Sequence, residues 1–525
     1  MNAGDPARPD ATRRTKAGES MTQSESRDRT SRIVSGEQSG TADRGSGGGQ
    51  NERSGSNTTR LVGMVLGPVL FFVVLLLPIP GLPTAAKAVL GLTAWMATWW
   101  VTEAIPVGAT ALLPLIVFPL IGADELAGVG QSYSDTSILL IFGALLIARG
   151  ITKSGIAERV ALRLLGAIGN NPLLLVGGLM AVCAGMSAWI SAAATAAIML
   201  PVALAVIGTV KDEDQQRRFG KCLVLGVVYA ATLGVLSTII ATPPNAVFAS
   251  LAPELLGFEI GFGQWMLVGV PMAALGVLIC WAYLTFVVSP VRDVSLEEGS
   301  RAVDERLEEL GPITRDEKLV LSVFLSTVAL WVTRSLLWGD LLPNVNNASI
   351  AIAGALAMFT LPAEGGGRLL DWKTAVGLPW AVLLLMGGGL ALASGYTSLG
   401  IDQWIADQLG FLGGLPAVLA IAAIALLTII VGEIMSNAAT AALLIPVAVA
   451  LAPTIGINPT QLAFAVALAA SFGFMLPISA ANAVALSTGK VTTPDLVKAG
   501  FPLNVLGVVL VTVACYTIVP LVFGR

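Results

Sequence analysis

Apolar stretches of bilayer-crossing length recur from residue 61 to residue 522, and they limit the fold more than any other feature of the chain. A hydrocarbon core about 30 Å thick asks for roughly 20 apolar residues per helical crossing. Inside lipid every backbone amide must find its partner within a helix or a closed barrel. With 12% charged residues against 55% hydrophobic ones, the chain lacks the polar surface that a soluble core of this size needs. The fold class is therefore all-α polytopic, resident in the lipid bilayer of the cell (plasma or inner) membrane. A net charge of -4 offers no basic face for nucleic acid. Histidine is absent, which excludes histidine-based nucleophilic catalysis and histidine metal sites. Cys183, Cys222, Cys280 and Cys515 stand singly in apolar runs and read as core residues. Residues 1–60 have no apolar run, so they read as a disordered cytoplasmic tail without a signal peptide's hydrophobic region.

Two apolar stretches, 173–207 and 415–452, are each about twice the length of a single span. Each has a small, polar centre, at Ser191-Ala192-Ala193-Ala194-Thr195 and at Ser436-Asn437-Ala438-Ala439-Thr440. Broken backbone at membrane depth is tolerated where it lines a cavity, so each stretch is two separate spans or one re-entrant hairpin, and the short Gly- and Ala-rich tips favour the hairpin. The flanks of the first are basic (Arg149, Lys153, Arg159, Arg163; then Lys211, Arg217, Arg218, Lys221), which places them in the cytoplasm. The second is flanked by Asp402 and Asp407 with no basic residue, which places it outside. The expected topology has about eleven spans and two hairpins, with the N-terminus cytoplasmic and the C-terminus external.

An internal repeat organises these segments. Residues 191–203 and 436–448 agree at nine of thirteen positions, at an offset of 245. The same offset aligns Gly143 with Gly388, Gly150 with Gly395, Gly155 with Gly400, and Ile156 with Ile401. Downstream, the segments beginning at Asn245 and Asn482 pair at an offset of 237. Thr242-Pro243-Pro244 must interrupt the first of these spans, 222–250, since consecutive prolines remove two backbone donors. By the repeat, the second, 461–488, is broken as well. Equivalent positions are five spans apart, an odd number, so the two halves are inverted. Inverted repeats whose broken helices meet near mid-bilayer are a secondary-transporter architecture, and helix N-termini at the breaks favour an anion.

Over 61–522 the chain resembles the divalent anion/sodium symporters, which move di- and tricarboxylates or sulfate. The resemblance rests on the two hairpin tips, on Thr242-Pro243, and on the segment from Trp99-Trp100 through Glu103 to Pro106. It implies scaffold helices at 61–121 and 319–362, and inverted repeats at 122–288 and 363–522 separated by a cytoplasmic loop at 289–318. It also implies sodium as coupling ion with no other cofactor, a homodimer, and an elevator-type motion of a transport domain. Ser191, Thr195, Thr242, Pro243, Ser436, Asn437 and Ser479 would meet the small anionic substrate. Ser187, Ser191, Ala241, Asn245, Ser436, Asn437, Ala480 and Asn482 would hold sodium by side chain or backbone.

The departures bear on mechanism. Ala192 and Ala193 stand where the family has Asn and Thr, Ala438 replaces the second Thr, and Ser479-Ala480-Ala481 replaces the second Thr-Pro-Pro. The expectation is a first cation site weakened or lost, with the substrate held mainly by the second half. A sodium-independent anion exchanger or an oxyanion transporter is the alternative. Glu433, three residues before Ser436, is either a coupling group that carries a cation or proton or a helix-end residue that holds the tip. The Trp99-Trp100 pair reads as an interface anchor.

Overall fold

The computed structural model describes Met1 and residues 57–166, 169, 171–294, 296, 299–334, 338, 341–408, 414–477 and 479–524. Among these every regular element is helical, apart from one isolated bridge between Pro362 and Arg368. The tail expected at 1–60 lies outside the described residues except at Met1 and 57–60, where the helix Asn57–Leu76 has begun.

Among the described residues six helices are long and apolar enough to cross a bilayer: Thr58–Leu76, Thr136–Ser154, Glu213–Ser237, Phe262–Val288, Trp380–Ser398 and Thr493–Phe523. The hairpin arms are shorter. The first hairpin has a leading arm Pro172–Ser187 of 16 residues and a return arm Ala192–Gly208 of 17. The second has Ala417–Gly432, of 16, and Asn437–Leu451, of 15. At 1.5 Å per residue such arms reach only about 23–26 Å, shorter than the roughly 30 Å hydrocarbon core. The tips are Ala188–Ile190 and Glu433–Met435, and a serine caps each return arm. Ser191 Oγ accepts from the Ala194 N–H and Ser436 Oγ from the Ala439 N–H, both at 3.3 Å. Each hydroxyl satisfies one of the amides that a helix start leaves without a partner.

Both expected breaks are present. The first span runs as Glu213–Gly234, makes one 3-10 turn at Val235–Ser237, and resumes as Pro243–Leu256. Pro243 and Pro244 fill the first turn, where an absent N–H leaves no intrahelical bond unmade. The second runs as Pro459–Ala469 and resumes as Ala480–Ser487, where the Ser479 hydroxyl accepts from the Asn482 N–H at 3.3 Å.

The glycines matched at the 245 offset have a physical reason to recur. A Cβ on Gly143 would lie 2.7 Å from the Ala351 carbonyl carbon, and one on Gly388 would lie 2.5 Å from the Ala111 oxygen. These are close helix approaches that only glycine permits. Gly155 and Gly400, at φ +76 and +65, each end a helix in the left-handed region. The packing repeats as well. Each leading arm lies on a long helix of its own half, Phe262–Tyr283 or Thr493–Val513. Each return arm packs on the resumed helix of the other half: Ala192–Gly208 on Ala480–Ser487, and Asn437–Leu451 on Pro243–Leu256.

Three differences from the sequence reading have electrostatic or packing causes. The basic residues of 149–163 do more than mark a membrane side. Arg159 is buried and bonds Glu317 Oε1 at 2.7 Å and the carbonyls of Gly311 and Leu310 at 2.6 and 3.0 Å. Lys153 pairs with Asp371 at 2.6 Å, and Arg149 donates to the Gly377 carbonyl. The segment 289–318 holds a helix, Gly299–Glu309, whose C-terminal end Arg159 closes. Trp100 is not at an interface: it is 1% exposed, with its indole N–H on the Val107 carbonyl at 3.2 Å.

Candidate functional site

The first break is closed by its own asparagine. Asn245 is fully buried, and its Nδ2 donates to the Val235 and Thr238 carbonyls at 2.9 and 2.8 Å. That orientation leaves Oδ1 buried with no partner. Thr238 ties the break to the first tip, its hydroxyl donating to the Ala188 carbonyl. The Trp265 indole takes the Leu236 carbonyl at 2.9 Å. The carbonyls of Ile239, Ile240 and Ala241 accept no backbone bond among the described residues. Thr242 occupies the cap position without a side-chain cap bond, and its hydroxyl makes no hydrogen bond among the described residues.

The second break repeats this clamp. Asn482 is fully buried, donates to the Gly473 and Leu476 carbonyls at 3.1 and 2.9 Å, and leaves Oδ1 without a partner. Here a carboxylate ties the tip to the break. Glu433 Oε1 accepts from the Met475 N–H at 3.0 Å and from Asn504 Nδ2 at 2.6 Å, and Oε2 accepts from the Leu476 N–H at 3.1 Å. Glu433 is 7% exposed, and no salt bridge reaches it among the described residues. Tyr229, from the first half, spans to this break: its hydroxyl lies 3.3 Å from the Phe474 carbonyl and 3.2 Å from that of Leu496.

The expected site residues thus fall on two tip-and-break assemblies. Ser187, Ser191 and Thr195 flank tip 1, and Ala241, Thr242, Pro243 and Asn245 belong to break 1. Glu433 lies in tip 2 with Ser436 and Asn437 opening its return arm, and Ser479, Ala480 and Asn482 belong to break 2. Ala480 is already helical, whereas Ala241 precedes its cap. The Asn437 side chain makes no hydrogen bond among the described residues. Sequence reading missed Thr238, Tyr229, Ser471 and Asn504. A lone amide in an apolar helix was the signal for Asn504.

Buried oxygens without partners near the tips and breaks each carry a desolvation cost of about 1–3 kcal/mol that a bound cation would relieve. In the first half these are Ser187 Oγ, Thr195 Oγ1 and Asn245 Oδ1; in the second, Ser471 Oγ, Asn482 Oδ1 and Asn504 Oδ1. No cluster of three Asp, Glu, Cys or His occurs among the described residues. Hydroxyl, amide and carbonyl oxygens form a hard, mostly neutral donor set, suited to a monovalent ion. Four helix N-termini at the tips and breaks supply partial positive charge for an anion.

The family model of the sodium:sulfate symporter transmembrane region matches residues 58–523, nearly the whole described chain. The chain belongs to the sodium:sulfate symporter family. A sodium-dependent dicarboxylate transporter of Staphylococcus saprophyticus, SdcS, is 34% identical over 491 residues, covering 90% of this chain and 94% of the relative. SdcS of Staphylococcus aureus is 34% identical over 483 residues, covering 89% and 93%. Two solved structures share the fold. The Alcanivorax borkumensis YdaH transporter superposes with a TM-score of 0.55 at 14% identity, covering 89% of this chain and 97% of that one. Neisseria gonorrhoeae MtrF gives 0.55 at 12%, covering 83% and 95%. As a member of the family, the chain is a multi-pass membrane protein. The resemblance drawn from the tips and breaks is to the family that the full-length match identifies.

Proposed function

We propose that this chain is a sodium-coupled secondary transporter of small dicarboxylates such as succinate. The observation that carries the reading is the pair of clamped breaks, each tied to a serine-capped tip and each holding a buried, unpartnered asparagine oxygen. Sodium entering beside Asn245 Oδ1 or Asn482 Oδ1 replaces a missing hydrogen bond with an ion–dipole contact. The bound cation and the helix N-termini then favour a substrate carboxylate without a fixed basic residue. Thr242 Oγ1 and the Asn437 amide, both free of other duties, are the direct donors to it. The 34% identity with SdcS along 94% of its length supports sodium as the coupling ion and a dicarboxylate as the cargo.

The first half keeps Ser187, Thr195 and Asn245 oxygens although Ala192 replaces the family's asparagine, which favours a cation site there that is altered rather than absent. The basic flanks favour a cytoplasmic N-terminus. A homodimer in which one domain slides as an elevator is the working assembly that the resemblance implies.

Labelled succinate uptake into proteoliposomes, with and without an inward sodium gradient, tests the proposal. Sodium-driven accumulation is expected. Uptake that ignores sodium but responds to internal succinate would replace symport with exchange, the reading that Ala192 and Ala193 favour. No succinate movement under either condition would overturn the dicarboxylate assignment.

A further inference from the structure

Two hollows adjoin along the small-residue face of the first hairpin's leading arm. A groove of about 910 Å³ opens between it and Phe262–Tyr283, beside the stretch where the two helices touch. A second, of about 520 Å³, adjoins it on the flank facing Ile156–Gly166 and Arg315–Thr333. Gly178, Ala181, Gly185 and Trp189 line both, and their spacing puts them on one face of the arm, so the two hollows meet along a ridge of mostly small side chains.

Water has little to hold it in the larger cavity. A buried water needs two to four polar partners. The wall offers the hydroxyls of Ser237 and Thr238 at its inner end, and that of Thr238 is spent on the Ala188 carbonyl. The Trp281 indole N–H is likewise occupied, by the Leu173 carbonyl at 3.0 Å. The rim is different: Leu174 and Leu278 are each 57% exposed and continue the surface that Phe262–Val288 presents to the bilayer. Hydrocarbon is therefore the medium at the mouth. Moving a chain from bulk lipid into the groove has no hydrophobic driving force. What favours it is dispersion: wall atoms facing a void forfeit contacts that a seated chain restores.

We infer that this groove is a binding site for one acyl chain of a membrane phospholipid, which enters between Leu174 and Leu278. Its inner end packs against Ala188, Trp189 and Thr238, the bond that ties tip 1 to break 1. Any consequence for transport rests on the function proposed above; the occupancy does not.

Gly185 has open space where a Cβ would stand, so Gly185→Leu fills the groove without a clash. Gly208 also has open space but lines neither cavity, so Gly208→Leu is the control. Ala274→Leu fills the groove from the opposite wall should Gly185→Leu not fold. The full-length protein is purified in mild detergent and its retained phospholipids are counted by native mass spectrometry. It is also reconstituted with phospholipids carrying brominated chains, which quench nearby tryptophans. The wild type and Gly208→Leu are expected to retain one phospholipid per chain that the filled variants lose. Quenching from Trp189 and Trp281 should fall in the filled variants alone. Equal lipid counts and equal quenching in all forms would overturn the site. A changed oligomeric state with an unchanged lipid count would assign the groove to a second copy of the chain, and overturn it equally.

Discussion

In Glu433→Gln the side chain keeps its shape and loses its charge, while its three donors stay where the backbone and Asn504 put them. The amide oxygen at the Oε1 position can still accept from the Met475 N–H and from Asn504 Nδ2. The amide nitrogen then faces the Leu476 N–H, donor against donor, where the wild-type contact is 3.1 Å. A hydrogen bond to a charged group is worth about 1.5–3 kcal/mol, and the two surviving bonds fall to roughly half their strength once the charge is gone. A net loss of about 3 kcal/mol corresponds to roughly a hundredfold fall in the population with tip 2 seated on break 2. Thermal unfolding in detergent, titrated with sodium, reads this directly. The expected variant has a lower Tm without sodium and a half-saturating sodium concentration raised by up to about a hundredfold, with sodium still required for uptake. An unchanged Tm and unchanged sodium dependence would refute the view that the carboxylate holds the tip. A raised Tm with uptake no longer coupled would point the other way, to a buried charge kept for coupling, since neutralising a costly charge stabilises the fold.

Asn482→Ala strips the donors from the Gly473 and Leu476 carbonyls and should cost about 2–4 kcal/mol; Asn482→Asp, which keeps Oδ1 but turns the donor into an acceptor, should not restore the sodium-dependent thermal shift. Asn437→Ala should raise the KM for succinate with little change in Tm, because its side chain bonds nothing else among the described residues; an unchanged KM and ion dependence would remove it from the site. Lys153 beside Asp371, aided by the Thr374 N–H, holds that carboxyl down at about 2 against an ordinary 3.8. A lowered folded pKa stabilises above the unfolded value and the benefit goes as pH falls through the folded one. Asp371→Asn should therefore be less stable than wild type at neutral pH, with the gap closing between about pH 4 and pH 2; parallel thermal scans across that range would show a constant gap if the ion pair contributes nothing.

Much of the fold was legible because its devices are local. A serine at a helix start, a proline pair in mid-span and a glycine at a close approach each act within a few residues, so Ser191 and Ser436, and Gly143 and Gly388, could be matched by spacing, and Pro243-Pro244 could be read as a break. The asparagines of the breaks are local too, reaching back only 10 and 7 residues in the first and 9 and 6 in the second. What each asparagine does there was not legible. Sequence suggested a cation ligand, while the structure commits the amide nitrogen to the break and leaves only the oxygen over.

The sequence by itself determined that the chain crosses a membrane, repeats itself upside down, and breaks at two matched places, since apolar length and lost backbone donors allow little else. The tertiary structure alone decided which charges are structural and which tip each break holds. Arg159 reaches Glu317 across 158 residues, Glu433 reaches Asn504 across 71, and Tyr229 reaches Phe474 across 245. In a low-dielectric interior a polar group must find a partner wherever packing brings one, and no rule of spacing along the chain says where that will be.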